Sequence, residues 1–195
     1  MSPLCRTFLL LIALVGMWLS LPANAAEWGK FSGPVRVEFD RNGRTMTLLE
    51  MFIYTDPDGK IWGAPQGTVI DGASIPRPFW AVVSGPFEGK YREASVIHDF
   101  ACAERTRSWK EVHLAFYNAM RCGGFGEVES KILYYAVYHF GPRWGVGVAI
   151  NGLFFAPPVV DAEDANQVAR WIKTNNPDLN EIANAKKQSV TLPTR

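Results

Sequence analysis

A chain of 195 residues with 48% hydrophobic residues, 20% charged residues and a formal net charge of +1 has the composition of one globular domain. That excludes a disordered or fibrous chain. The near-neutral balance, with no basic stripe and no nucleic-acid motif, argues against nucleic acid as a partner.

The N-terminus reads as a secretory signal peptide over residues 1–25. Arg6 supplies a short positive region, and an apolar stretch follows from Phe8 to Leu19. Ala23 and Ala25 are small residues at the minus-three and minus-one positions of a cut before Ala26. The apolar stretch is shorter than the roughly 20 residues of a comfortable membrane span. Cys5 precedes the stretch, which is the wrong place for a lipoprotein signal. The expected location is periplasmic or secreted, and the expected kind of partner is an envelope component or the membrane surface. Cleavage near Ala25 leaves Cys102 and Cys122, an even number that permits one disulfide in an oxidising compartment.

From Glu27 to Ile70 the pattern is β. Val35–Phe39 alternates apolar and polar, as a half-buried strand does. Asp40-Arg41-Asn42-Gly43 is a turn signal, and Thr45 to Tyr54 predicts a second strand. Asp56-Pro57-Asp58-Gly59 is a stronger turn, with proline setting φ and glycine free to take φ > 0. Ile61-Trp62 and Thr68–Ile70 complete a small antiparallel sheet.

Helices follow. Ser74 is placed to cap a short helix that has a proline just inside its start. Lys90 to Arg105 predicts a helix with Tyr91, Ala94, Ser95, His98, Ala101 and Cys102 on its inner stripe. Thr106-Arg107 is a tight link. Ser108 and Glu111 form a capping box for the next helix, which carries Val112, His113, Phe116 and Met120 on one face. Cys122-Gly123-Gly124 ends it. A third helix from Val128 to Phe140 stops at Gly141-Pro142. Gly145 to Val160 is apolar but interrupted, and reads as a buried irregular segment or a surface patch. Asp161 to Lys173 predicts another helix, and the polar tail over 175–195 has room for one more. Strands first and helices afterwards predict an α+β fold: a small N-terminal antiparallel sheet, then a helical hairpin and further helices. A single domain over 26–174 accommodates all of it.

The short link forces the two central helices into an antiparallel hairpin. With Arg107 near its middle, His98 lies opposite about Phe116, and His113 is offset by about 4.5 Å at helical rise. His98 and His113 are therefore expected in contact or one water apart. By the same arithmetic Cys102 and Cys122 lie roughly 15 Å apart, beyond the reach of a disulfide. Cys102 is expected reduced and packed.

Three chemistries fit. In one, His98 is a general base, oriented from the second helix, with Asp99 directed to a metal. In another, His98, His113 and a carboxylate, Asp99 or Asp71, bind a transition metal such as zinc. In the third, Ser74 is a nucleophile served by His98, although nothing around it resembles a nucleophile elbow. Against these stand structural roles. Asp71 can cap its own backbone, Arg77 can anchor a loop by a salt bridge, and the histidines can be satisfied core residues.

The stretch Gly67–Trp80, followed by Pro86, Gly89, Tyr91, Ala94 and His98-Asp99, resembles a bacterial and phage family known only as a domain of unknown function. That family's signature is D-G-A-S-I-P-R, then H-D and an aromatic residue. The likeness runs from about Ala64 to Gly141 and implies kinship without an activity. The H-D helix is also locally similar to that of secreted phospholipase A2. That likeness implies His98 as the base and Asp99 as a calcium ligand. The orienting position falls on His113, where that enzyme has Asp. A neutral His can orient His98 but brings no negative charge. The glycine-rich, cysteine-flanked calcium loop of that enzyme has no counterpart here.

The leading expectation is a metal-assisted hydrolase. His98 and His113 are its catalytic candidates, and Asp71, His98, Asp99 and His113 are candidate ligands for a divalent metal, calcium or zinc. The competing expectation is a non-enzymatic envelope or phage-derived module in which the same cluster is a stabilising hydrogen-bond network.

Overall fold

The computed structural model describes residues 27–41, 43, 45–73, 75–83, 89–145 and 160–186. The signal-peptide reading, Ser74 itself and most of the apolar 145–160 stretch lie outside the described residues. The described residues hold six strands: β1 (Lys30–Phe31), β2 (Val37–Phe39), β3 (Met46–Leu48), β4 (Phe52–Thr55), β5 (Ile61–Ala64) and β6 (Val69–Ile70). They form two antiparallel three-stranded sheets, ordered β1-β4-β5 and β2-β3-β6. The architecture is α+β.

The strand expected over Thr45–Tyr54 is two strands in different sheets. The cause is the backbone hydrogen bonding around Leu48. Leu48 N donates to Thr68 O (2.9 Å), Gly67 N donates to Leu48 O (2.8 Å), and Leu49 N donates to Arg36 O (2.9 Å). The chain is held to β2 and β6 up to Leu49, bends, and starts again at Phe52 opposite Ala64. Alternation sets which side chains face inward. Met46, Leu48, Phe52, Tyr54, Trp62 and Ala64 are buried, whereas their strand neighbours are not.

Asp56 makes the β4–β5 turn. Its carboxylate accepts from Asp58 N (3.0 Å), Lys60 N (2.8 Å) and Trp62 Nε1 (3.0 Å), and Gly59 supplies the left-handed φ of +77°. The pinned Trp62 ring receives the Arg107 guanidinium at 4.5 Å. Arg107 also donates to Ile61 O (3.2 Å), which ties the interhelical link to the sheet.

Six helices follow: α1 (Arg77–Trp80), α2 (Arg92–Glu104), α3 (Trp109–Cys122), α4 (Glu127–Phe140), α5 (Ala162–Asn175) and α6 (Leu179–Asn184). The N-cap residue of α1 is Pro76, without a side-chain bond, so the helix begins two residues later than a cap at Ser74 requires. Arg105 closes α2 in the left-handed region, at φ +55°. The Ser108–Glu111 capping box is formed, with Ser108 Oγ accepting from Glu111 N and the Glu111 carboxylate accepting from Ser108 N. Ser108→Ala is expected to lower stability by about 1 kcal/mol, read as a lower thermal midpoint.

α2 and α3 form the antiparallel hairpin, one side of α2 lies on the sheets, and α3 packs on α4. Both Cys102 and Cys122 are free thiols, in line with the separation expected from the hairpin. Cys122 Sγ instead donates to Gly29 O (3.4 Å). Among the described residues no helix is long and apolar enough to cross a membrane.

Candidate metal centre in the helical hairpin

His98 and Cys102 stand one turn apart on the inner stripe of α2, and His113 faces them from α3. Both imidazoles are fully buried, and Cys102 is buried with them. His98 Nε2 and His113 Nδ1 are 2.9 Å apart, with the ring planes 25° from parallel. His113 Nε2 is 3.2 Å from Pro142 O. A carbonyl only accepts, so Nε2 of His113 carries the proton and its Nδ1 presents a lone pair. His98 Nε2–H is then the donor between the rings. Both imidazoles are neutral in this chain of hydrogen bonds.

The surroundings enforce neutrality. Phe116 packs on His98 with ring centroids 4.7 Å apart, and Trp109 meets His113 edge-on. Burial, and then the neighbouring His113, holds the His98 pKa well below its ordinary value. Burial lowers that of His113 to about 4, opposed by the bond to Pro142 and assisted by the Arg143 charge.

Cys102 Sγ is 3.6 Å from His98 Nε2 and 3.7 Å from Nδ1. The sulfur therefore stands against the ring rather than along one lone pair. Burial, and then Asp99, pushes its thiol up to about 12. One ligand atom each from His98, Cys102 and His113 can be chosen so that all three lie within 4.8 Å of one another. Cys102 is reduced and packed on the inner stripe, as the spacing predicts, and its sulfur lies beside the imidazole of His98. The spacing that brings it beside His98 is His-x-x-x-Cys, one helical turn, opposite a second histidine.

The two aspartates take up different positions. Asp99 follows His98 in sequence, so its side chain leaves α2 about 100° further round. Its Oδ2 accepts from Asp71 N and Gly72 N, both at 3.0 Å. The loop presents these amides by taking positive φ at Gly72 (+106°) and at Ala73 (+65°), a concave run of N–H groups suited to an anion. Oδ1 of Asp99 is enclosed and has no hydrogen-bond partner among the described residues. Burial, and then the Asp71 charge, raises the Asp99 pKa to about 7, against the pull of the backbone amides of Gly72, Asp71 and Ala73. The Asp71 side chain is exposed at the rim. Of the four residues expected to share one centre, His98 meets His113, and Asp99 meets the Asp71 backbone. The cluster of ligand atoms contains neither carboxylate.

Arg77 lies over the Trp80 ring, 5.8 Å from its centroid, and makes no ion pair with a described residue. His139 donates from Nε2 to Ile182 O (2.8 Å), fastening α4 to α6. A cavity of about 160 Å³ lies between β5 and the hairpin. It is lined by Trp62, Ile97, Phe100, Ala101, Arg107 and Val112 among others. Ala101 and Val112 are the chain neighbours of Cys102 and His113.

Residues 46–137 match the family model described as "Protein of unknown function (DUF1353)". That stretch contains Asp71, His98, Asp99, Cys102 and His113. Among curated proteins, the chain is 44% identical over 156 residues to "Uncharacterized protein y4jT" of Sinorhizobium fredii (strain NBRC 101917 / NGR234), covering 78% of this chain and 46% of that protein. It is 46% identical over 145 residues to "Uncharacterized protein y4iH" of the same organism, covering 70% of this chain and 61% of that protein. The chain thus spans about half of one relative and three-fifths of the other. No solved structure matches.

Proposed function

We propose, for a chain that belongs through residues 46–137 to this family of unknown function, a metal-assisted hydrolase centred on the hairpin histidines. The observation that carries the reading is the 2.9 Å approach of two buried, neutral imidazoles from facing helices. Neutral imidazole is the form that binds a metal. The Pro142 carbonyl on the far nitrogen of His113 gives the outer support that metal-bound histidines generally have. A divalent metal held there would lower the pKa of its bound water towards about 7 and supply hydroxide for attack on a carbonyl or phosphoryl centre. Asp99 supports α2 against the loop at Asp71 and Gly72 instead of entering the ligand set. Cleavage near Ala25 and a periplasmic or secreted location belong to the same proposal, with an envelope ester or amide as the class of substrate.

One observation favours a second reading. The His98–His113–Pro142 chain is already a complete run of hydrogen bonds. It serves equally as a clamp between α2, α3 and the turn after α4 in a non-enzymatic envelope module. His98→Ala separates the two. Metal content, the urea stability of the metal-free protein and hydrolysis of ester and lipid substrates are compared with wild type. Loss of metal or turnover with nearly unchanged stability supports the hydrolase. A stability loss of about 2 kcal/mol or more, with neither metal nor activity in the wild type, supports the clamp.

A further inference from the structure

We infer that Cys102 completes the centre: His98 Nε2, His113 Nδ1 and Cys102 Sγ form a three-ligand site for zinc or a neighbouring thiophilic transition metal. The inference rests on the metal-assisted reading above and adds the ligand and the metal class which that reading leaves open.

The donor set decides the class. Calcium takes six to eight oxygen ligands, and this cluster offers two nitrogens and one sulfur, with the nearby carboxylate of Asp99 bound to backbone amides. Nitrogen and thiolate donors select zinc and its neighbours. Three protein ligands with one open position are the pattern of hydrolytic zinc, whereas four closed ligands are the pattern of structural zinc.

The three donor groups are gathered within 4.8 Å of one another, and small movements would complete the arrangement that zinc needs. Tetrahedral angles at ordinary Zn–N and Zn–S lengths put two nitrogens about 3.3 Å apart, and a nitrogen and a sulfur about 3.6 Å apart. Sγ of Cys102 lies 3.6 Å from His98 Nε2 but also 3.7 Å from Nδ1, beside the ring, so the side chain must turn towards the Nε2 lone pair to share a metal with it. The two nitrogens, at 2.9 Å, must part by a few tenths of an ångström, as they do when a metal replaces the hydrogen between them. The framework is stiff in the useful direction. Two ligands leave one helix a single turn apart, the third comes from the facing helix, and Phe116 and Trp109 wall the rings. Proton accounting closes as well. The metal enters, the hydrogen between the rings moves to His98 Nδ1, and the Cys102 thiol releases one proton to solvent.

Cobalt(II) loaded into the purified protein tests this, because a thiolate ligand declares itself spectroscopically. The expected result is one cobalt per chain, visible bands of tetrahedral cobalt, and a near-ultraviolet thiolate-to-cobalt charge-transfer band. Cys122→Ser keeps that band. Cys102→Ser abolishes it and weakens zinc binding by at least about 100-fold. A large excess of calcium leaves the bound cobalt in place. The wild-type spectrum decides the point even if Cys102→Ser folds poorly. Cobalt that binds without the thiolate band but is still lost in His98→Ala, or that calcium displaces, overturns the role of Cys102 while leaving the metal-assisted reading standing. A protein that takes up no metal overturns both.

Discussion

Acidifying the metal-free protein from about pH 7 to about pH 4 is expected to cost it roughly 3 kcal/mol through His113 alone, and more through His98. The pKa of His113 falls from an ordinary 6.5 to about 4 in the folded state, chiefly through burial, and that of His98 is also held well below its ordinary value, by burial and then by His113. Between those values the unfolded chain binds protons that the folded chain refuses. Stability from these groups is therefore intact above about pH 6.5 and is lost as pH falls towards about 4. His139, which burial also lowers, contributes in the same direction. Urea midpoints across this range measure the effect. The His98→Gln, His113→Gln double variant should show a much flatter dependence. A double variant as steep as wild type would locate the acid sensitivity elsewhere.

Asp99 works with the opposite sign and gives the second large effect. Its pKa rises from 3.8 to about 7 on folding, so the folded state keeps a proton that the unfolded state has released. That contribution is fully present below about pH 4 and is lost as pH rises to about 7. Above pH 7 the wild type holds a carboxylate with one enclosed oxygen that no described residue bonds. Asp99→Asn keeps an acceptor for Asp71 N and Gly72 N without the charge. It is expected to raise stability at about pH 8 by roughly 2–4 kcal/mol. Asp99→Ala removes the acceptor as well and should fall below Asp99→Asn by about 1–3 kcal/mol, with faster proteolysis at the 71–73 loop. Equal stability of the Asn and Ala variants would show that the amide cradle contributes little. In the wild type the three lowered histidines outnumber this one raised carboxyl, so net acid sensitivity is expected.

The hairpin was legible because its determinants are local. Ser108 and Glu111 are three residues apart and cap α3 through bonds between those two residues alone. A two-residue link then dictates which stretches face each other, and that arithmetic brought His98 to His113 and kept Cys102 from Cys122. The break at Leu48–Phe52 was not legible, because the run from Thr45 to Tyr54 is strand-forming throughout. Its division depends on bonds to Thr68, Gly67 and Arg36, which are distant in sequence. The start of α1 was misjudged for a related reason. Ser74 has good capping chemistry, but the loop before it takes positive φ at Gly72 and Ala73 to offer its amides to Asp99.

The candidate site was half legible. Helical spacing identified the two histidines, and it also contained Cys102, one turn from His98. A buried thiol reads as packing until a facing histidine is seen beside it. Asp99 was grouped with His98 because the two are adjacent in the chain. Adjacent helical residues diverge by about 100°, and that angle sends the carboxylate to the loop, away from the paired imidazoles. The separation leaves an anion cradle at Gly72 and a nitrogen–sulfur cluster inside the hairpin.

Zinc titration of the metal-free protein, followed by equilibrium dialysis, tests the centre most directly. The account predicts uptake of one zinc per chain and a higher thermal midpoint with saturating zinc, and loss of both in His98→Ala. A protein that binds no zinc and melts at the same temperature with and without it would contradict the account.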